Sequence, residues 1–206
     1  ENDKMSFVAN KLTTSKKYKI TLSLSGEHNV LNTLASVALL DHLDCDLQKA
    51  TEKLVEFNGP TRRFEIKGVA NGVTIIDDYA HHPTAVMATL QAARSKYPES
   101  KIWAVFEPHT FSRTQATKAE LAEAFEIANK VIITDIYPAR EKASDFRITS
   151  QEIVDEIAKN HQNVAYIPRK KGVMDHIVAN AKNGDVVIIM AVGDFNKIAL
   201  ELIDKL

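Results

Sequence analysis

The chain has 206 residues, 45% of them hydrophobic, and a formal net charge of −1 at pH 7. Such a composition supports a real core, and the near-neutral charge gives no signature of binding to nucleic acid or to an anionic membrane. The single cysteine, Cys45, excludes an internal disulfide and a cysteine-based metal cage. No apolar run approaches the roughly 20 residues of a membrane-spanning helix, and no signal-peptide pattern is visible. We therefore expect a cytoplasmic protein without membrane insertion, in which Cys45 is a small hydrophobic residue near a helix start.

Residues 1–58 have the pattern of a small α+β unit. Strands are predicted at 6–9 and 18–24, with a polar turn between them. A helix opens at Gly26, with apolar residues at spacings of three and four, and a second helix of about ten residues follows Asp46, a good N-cap. A unit this small buries little surface, so we expect it to be the end of a larger domain.

After Asn58-Gly59-Pro60 the pattern becomes a regular alternation of strands and helices, which defines a second region, 59–206. Its later strands are short and rich in Val and Ile, as expected for strands buried on both faces. The alternation predicts an α/β, Rossmann-like fold, a mostly parallel sheet flanked by helices. Asn71-Gly72 predicts a hairpin between the first two strands. The predicted strands are 63–67, 73–77, 102–106, 131–135, 164–167 and 186–190, and the predicted helices are about 84–97, 115–128, 150–160, 172–182 and 195–205.

The stretch from Asp77 to Thr84 places two carboxylates, a phenol and two imidazoles where a strand leads into a helix. In open α/β sheets, ligands bind at this carboxyl end of the strands. His82 is predicted at the N-cap and Pro83 at the first helical position, where the missing N–H costs nothing.

A second polar cluster, from Glu107 to Thr114, follows the next strand. Solvated loop histidines and helix caps would explain either cluster alone, but two in the same topological position favour a site. If the two strands are neighbours, His81, His109 and Arg113 should face one crevice, with Tyr79 at its border.

Two further strand ends carry polar residues. Gly193-Asp194 fits a helix start with Asp194 as the N-cap better than an anion site. Arg140 and Glu141 fit an ion pair with each other or with solvent as well as they fit a substrate role. The fingerprints of nicotinamide binding, of a P-loop and of a serine hydrolase elbow are missing.

Six motifs occur in one order: Gly26–Asn32, Gly59–Phe64, Asp77–Thr84, Glu107–Thr114, Asp135–Glu141 and Gly193-Asp194. In this order the chain resembles the C-terminal half of the Mur ligases, the ATP-dependent amide-forming ligases of peptidoglycan synthesis in cell wall biogenesis. Members that join L-alanine to UDP-N-acetylmuramate are the most similar. The resemblance implies the remnant of a central ATPase domain at 1–58 and an amino-acid-binding domain at 59–206. The phosphate loop and the UDP-sugar domain would be missing, so we expect residues 1–206 alone to be inactive.

The resemblance implies ATP as a substrate, with Mg²⁺ whose ligands lie mainly outside this chain, so no metal ligand is expected here. Asn29 and Asn32 would read the adenine, since an amide both donates and accepts. Arg63 would contact the ATP phosphates and Asp78 the ribose, whereas Arg62 beside it could equally be a surface charge.

For the amino acid, the resemblance implies substrate contacts from Tyr79, Thr110 and Arg113. Arg113 would hold the carboxylate of L-alanine, a planar anion that suits a guanidinium. His81 and His109 would be the catalytic residues, orienting the amine or stabilising the intermediate, with proton acceptance possible near neutral pH.

Several residues depart from the alanine-adding pattern. Thr110 stands where many members have Arg, and Ala191 replaces the first glycine of the late Gly-Ala-Gly-Asp. Glu107 stands where Gln is common. The recycling ligases, which add L-Ala-γ-D-Glu-meso-diaminopimelate to the same sugar, also tend to have Glu there, so this activity is the alternative. A non-catalytic α/β binding module is a third reading.

Overall fold

The computed structural model describes residues 4–24, 26–57 and 59–206. The chain divides into two compact units, Glu1–Pro60 and Thr61–Leu206. This division lies two residues beyond the sequence boundary between 58 and 59. That the first unit is the end of an ATP-binding domain stays a prediction.

The first unit consists of a hairpin and two helices. Strands β1 (Met5–Lys11) and β2 (Lys16–Leu22) are antiparallel, and helices α1 (Glu27–His42) and α2 (Leu47–Lys53) follow, with a 3₁₀ turn at Leu54–Glu56. The Asp46 side chain accepts the Lys49 N–H at 3.2 Å and caps α2 as predicted. The core of the unit is formed by Ala9, Ile20, Leu22, Val37 and Leu47.

The structure contradicts the role expected for Cys45. Its side chain is exposed, so it does not act as a small hydrophobic residue. It lies in the short connection between α1 and α2, and such connections run over the surface.

The second unit is a six-stranded, mostly parallel sheet flanked by helices, which confirms the predicted fold class. The strand order is β3-β4-β8-β5-β6-β7, and β3 and β4 form the one antiparallel pair among the described strands of this sheet. The strands are β3 (Glu65–Ala70), β4 (Val73–Asp78), β5 (Ile102–Phe106), β6 (Lys130–Ile133), β7 (Val164–Tyr166) and β8 (Val186–Met190). The helices are α3 (Pro83–Lys96), α4 (Phe111–Ala116), α5 (Lys118–Ala124), α6 (Ser150–Ala158), α7 (Lys170–Asn180) and α8 (Ile198–Lys205).

A hydrophobic core covers each face of this sheet. Side chains alternate along a strand, so Ile102, Ala104 and Phe106 pack against α3, α5 and α6. Trp103 and Val105 point the other way, into the core that contains α7 and α8. All residues of β5 and β8 are buried, as expected for strands covered on both faces.

The predicted hairpin at Asn71-Gly72 is confirmed. β3 and β4 pair across it, and both residues have positive φ, 47° and 76°. A two-residue turn of this kind matches the twist of the strands.

The expected neighbourhood of the second and third strands is wrong, because β8 lies between β4 and β5. The chain runs outward from β5 to β6 and β7 and then returns to fill the slot beside β4. Helix α3 follows β4 on one face, whereas α8 follows β8 on the other. Loops that diverge in this way open a crevice at the carboxyl ends of the strands.

Two helix starts also differ from prediction. The helix predicted at 115–128 begins at Phe111 and is interrupted at Thr117, so Arg113 lies on a helix. Gly193, not Asp194, occupies the cap position of the last helical segment. The Asp194 carboxylate instead pairs with Lys170 at 3.1 Å.

Among the described helices, none combines the length and the apolar character needed to cross a membrane.

Candidate functional site

Four rings form a row at the carboxyl edge of the sheet. The ring centroids of Tyr79 and His81 are 5.3 Å apart, and those of His81 and His109 are 5.8 Å apart. His109 in turn stacks on Tyr137, with centroids 5.6 Å apart and planes inclined by 19°. The structure thus brings the two predicted histidines together although their strands are separated by β8.

His109 and Arg113 form a hydrogen-bonded pair. They are four residues apart, with His109 in the loop after β5 and Arg113 on α4, and Nη1 of Arg113 donates to Nδ1 of His109 at 3.0 Å. Because a guanidinium only donates, Nδ1 accepts and the imidazole is neutral. Burial lowers the pKa of His109, the positive charge of Arg113 lowers it further, and Glu141 opposes the change.

His81 is held in a complementary way. Its Nδ1 lies 2.8 Å from the carbonyl oxygen of Tyr79, which can only accept, so Nδ1 carries the proton and Nε2 keeps a lone pair in the neutral ring. Burial lowers the pKa of His81, as does the positive charge of Arg113, whereas the bond to Tyr79 opposes the change. Two half-buried neutral imidazoles therefore lie beside one guanidinium, an arrangement able to accept a proton next to a bound carboxylate.

Thr110 adopts a strained backbone conformation between these residues. Its φ is 64°, which is rare for a β-branched residue. The Thr110 N–H donates to the Tyr137 carbonyl at 2.9 Å, and the Thr110 carbonyl accepts the Thr114 hydroxyl at 2.7 Å. Strain that the surrounding structure enforces clusters at functional positions.

Glu141 fixes the start of α4, the helix that carries Arg113. Its carboxylate accepts the Ser112 N–H at 3.0 Å and also the Ser112 hydroxyl, a favourable place for an anion at a helix N-terminus. The contact that the structure shows for Glu141 is thus with Ser112, which was not among the alternatives considered from the sequence. Arg140 itself is exposed.

Asp78 is buried and bound to the backbone. One carboxylate oxygen accepts the Phe64 N–H and the other accepts the Ala80 N–H, both at 2.7 Å. Burial raises its pKa, and these hydrogen bonds oppose the rise. The geometry gives Asp78 a structural role, holding the backbone next to Arg63, whose exposed guanidinium lies 5.3 Å from the Tyr79 ring centroid. Its contact with ribose stays a prediction.

Asn29 and Asn32 belong to the first unit. They lie near the start of α1 and, three residues apart, share one side of the helix. Asn29 is partly buried and Asn32 is exposed.

Arg62 is the residue that sequence reasoning most clearly missed. Its guanidinium donates to the carbonyls of Ala191, Val192 and Gly193 at 2.6, 3.1 and 3.4 Å, and its Nε lies 3.5 Å from the buried carboxylate of Asp77. The reading of Arg62 as a surface charge is therefore wrong. Asp77 could have given the signal, because a carboxylate that ends an apolar strand needs a buried partner.

In the sequence, Glu107 opens the second polar cluster and departs from the alanine-adding pattern, but no role was predicted for it. It is 8% exposed, and burial raises its pKa to about 7. Tyr137 was not predicted as a site residue either, although it lies within the motif Asp135–Glu141.

Among the described residues, no three His, Cys, Asp or Glu side chains converge in a way that could hold a metal ion. The residues present therefore do not fit a Mg²⁺ site by themselves.

A polar cluster at the switch point of a doubly wound sheet defines an α/β ligand-binding domain. Residues 62–193 match the family model described as Mur ligase, glutamate ligase domain. The chain therefore belongs to the Mur ligase family.

Relatives and solved structures agree with this assignment. The chain is 44% identical to the UDP-N-acetylmuramate–L-alanine ligase of Caldanaerobacter subterraneus subsp. tengcongensis over 89% of its own length and 40% of that protein. It matches the structure of UDP-N-acetylmuramate-alanine ligase from Thermotoga maritima with a TM-score of 0.75 and 27% identity, over 91% of this chain and 39% of that one. For a murein peptide ligase from Psychrobacter arcticus the TM-score is 0.70 and the identity 27%, over 92% and 39%. The chain thus spans about 40% of the length of the curated relatives it matches.

Proposed function

We propose that this chain receives the amino acid in an ATP-dependent ligase that joins L-alanine to UDP-N-acetylmuramate through an acyl phosphate. The observation that supports this most is the hydrogen-bonded pair of His109 and Arg113, with the His81 ring beside it. The resemblance to alanine-adding relatives supplies the identity of the substrates.

The proposed chemistry follows from the three side chains. Arg113 holds the carboxylate of the amino acid with charge-assisted hydrogen bonds. The ammonium of the amino acid must lose a proton before it attacks the acyl phosphate. The lowered pKa values of His81 and His109 keep both rings neutral near pH 7, and the Nε2 lone pair of His81 is the proposed acceptor. Tyr79 and Thr110 shape the walls of this substrate site.

For ATP, we propose that Asn29 and Asn32 contact the adenine, Arg63 the phosphates and Asp78 the ribose. The exposed guanidinium of Arg63 supports its part, whereas Asp78 is already bound to two backbone N–H groups. We propose that the reaction takes place in the cytoplasm, because it uses ATP. We derive no step through Mg²⁺, because the described residues do not form a site for it.

A second candidate, addition of the tripeptide L-Ala-γ-D-Glu-meso-diaminopimelate, is favoured by Glu107. A ligase assay would compare L-alanine with the tripeptide as acceptor, with UDP-N-acetylmuramate and ATP, in the complete enzyme that contains these residues. Phosphate release that depends on L-alanine supports the first function, and release that depends only on the tripeptide overturns it in favour of the second.

The role of Arg113 is tested by Arg113→Met, with Arg140→Met as the matched control at an exposed arginine. We expect Arg113→Met to raise the KM for the amino acid at least tenfold, because it removes a charge-assisted contact worth about 1.5–3 kcal/mol. The KM for ATP should change little. The pKa of both histidines should rise in the NMR titration of the 206-residue chain, because Arg113 lowers both. An unchanged KM for the amino acid would refute the role of Arg113.

A further inference from the structure

Glu107 lies at the carboxyl end of β5, two residues before His109. Its backbone N–H donates to the Met190 carbonyl at the end of β8. The residue is therefore fixed between the two strands that form the floor of the site.

The carboxyl group of Glu107 is buried and incompletely bonded. Its Oε2 is inaccessible and has no hydrogen-bond partner among the described residues. The nearest wall is Gly193. A Cβ added there would lie 3.4 Å from Oε2 and 3.3 Å from a carbon of the Tyr137 ring, so both side chains approach Gly193 on the side where a side chain would stand.

Burying an ionised carboxylate with an unbonded oxygen is costly. The charged groups around Glu107 partly cancel: Lys170 and Arg62 favour the ionised form, and Asp194 opposes it. The Gly193 N–H faces the carboxyl group and also favours ionisation, but burial outweighs these effects and raises the pKa of Glu107 to about 7.

We infer that Glu107 is a positioning residue of this site and that it acts as the neutral acid, holding the Gly193 turn against the Tyr137 ring. The contacts run in one series. Glu107 and Tyr137 both approach Gly193, Tyr137 stacks on His109, and His109 accepts from Arg113. Ionisation of Glu107 would place a charge at the unbonded Oε2 and so change its contact with the turn that supports this stack. The catalytic meaning of the inference depends on the proposed function, but the arrangement itself does not.

The sign of the pH effect on stability follows from the raised pKa. Between the ordinary value of 4.5 and about 7, the folded chain binds this proton more tightly than the unfolded chain. The free energy of unfolding therefore falls as the pH rises through this window and is constant with respect to Glu107 above it. In Glu107→Gln, an isosteric neutral group, this contribution should vanish, and the variant should be more stable than the wild type at pH 8.

The test is a carbon-13 NMR titration of the side-chain carboxyl of Glu107 in the 206-residue chain, assigned with Glu107→Gln. We expect a midpoint near pH 7 and a transition with the same midpoint in the Gly193 amide and the Tyr137 and His109 ring signals. In Glu107→Gln the transition near pH 7 should disappear from these signals, and the ring signals of His109 should show only that residue's own titration, whose pKa is lowered by burial. A Glu107 midpoint below about 5, close to the ordinary value for Glu, or ring and amide signals that ignore Glu107, would overturn the inference.

Charge variants make the test independent of whether Glu107→Gln folds. Lys170→Met should raise the midpoint of Glu107 and Asp194→Asn should lower it, and the Gly193 and His109 signals should move with it. Lys171→Met, at an exposed neighbour, is the matched control and should leave it unchanged. If the midpoint shifts and the His109 signals do not follow, Glu107 does not position the site. Since no ATP or amino acid is present, this outcome is separate from a failure of the proposed function.

Discussion

The two units of the chain bury their apolar side chains to very different extents. In the second unit, sheet residues point into a core on either face, and all of β5 and β8 is buried. In the first unit a hairpin and two helices share one small core. Helix α1 has 16 residues, of which only Val37 is buried among those described, while Leu31 and Leu39 are each 59% exposed.

This difference in burial indicates which unit is rigid enough to hold the side chains of a site in place. A small unit buries a smaller share of its surface and is less stable, and segments with few buried contacts open locally at low cost. The proposed amino-acid residues lie on the unit with two cores, at strand ends whose backbone is fixed. A site of this kind holds its geometry without a ligand.

The largest expected effect comes from a matched pair of core truncations, one in each unit. Ile188→Ala in β8 and Ile20→Ala in β2 both remove a side chain with no exposed surface. Because Ile188 lies on a central strand that cannot collapse, we expect a cost of about 4–5 kcal/mol, against about 2–3 kcal/mol for Ile20. Urea unfolding measures the cost, and hydrogen exchange followed by mass spectrometry assigns it to a unit. Equal costs would show that the first core is packed as rigidly as the second.

A smaller effect is expected at Arg62, whose guanidinium binds the loop that follows β8. Arg62→Met removes bonds to three carbonyls and should destabilise the chain by about 1–3 kcal/mol. Arg63→Met, the exposed neighbour, should change stability by less than about 0.5 kcal/mol. Thermal unfolding of the two variants distinguishes Arg62, which stabilises the fold, from Arg63, which is exposed and accessible to a ligand. The distinction fails if both cost the same.

Much of the second unit could be predicted from the sequence because its signals are local. The run Val186–Met190 is continuous and apolar, and Asn71-Gly72 favours one turn type. The strand order could not be predicted in this way, since the insertion of β8 between β4 and β5 depends on how a returning strand finds an open edge. His81 and His109 were expected to meet because their strands would be neighbours, but they meet across the end of β8, which lies between β4 and β5.

The site shows the same limit. Side chains at strand ends could be placed at one edge of the sheet by topology, which brought in His81, His109 and Arg113. The partners of Arg62 and Glu107 could not be identified, because these residues contact Ala191 and Gly193, more than 80 residues away in the sequence. Burial of a charged group depends on tertiary structure, and no local pattern reports it.

The smallest expected change in stability is on helix α1, where the apolar spacing predicted the helix but not which of its residues are buried. Its apolar spacing predicted a helix, which is confirmed, yet Leu31, Leu34 and Leu39 are exposed, whereas Val37 is buried in the small core. Leu39→Ala should therefore change the free energy of unfolding by less than about 0.5 kcal/mol. Val37→Ala on the same helix should cost about 1.5 kcal/mol, the value of two buried methyl groups. Alanine gains more helix propensity over Val than over Leu, so propensity acts against the expected difference and cannot be its cause, and urea unfolding of the 206-residue chain measures it. If Leu39→Ala cost as much as Val37→Ala, the leucine face of α1 would be buried in solution, and the contrast between a sparse first unit and a dense second one would have to be abandoned.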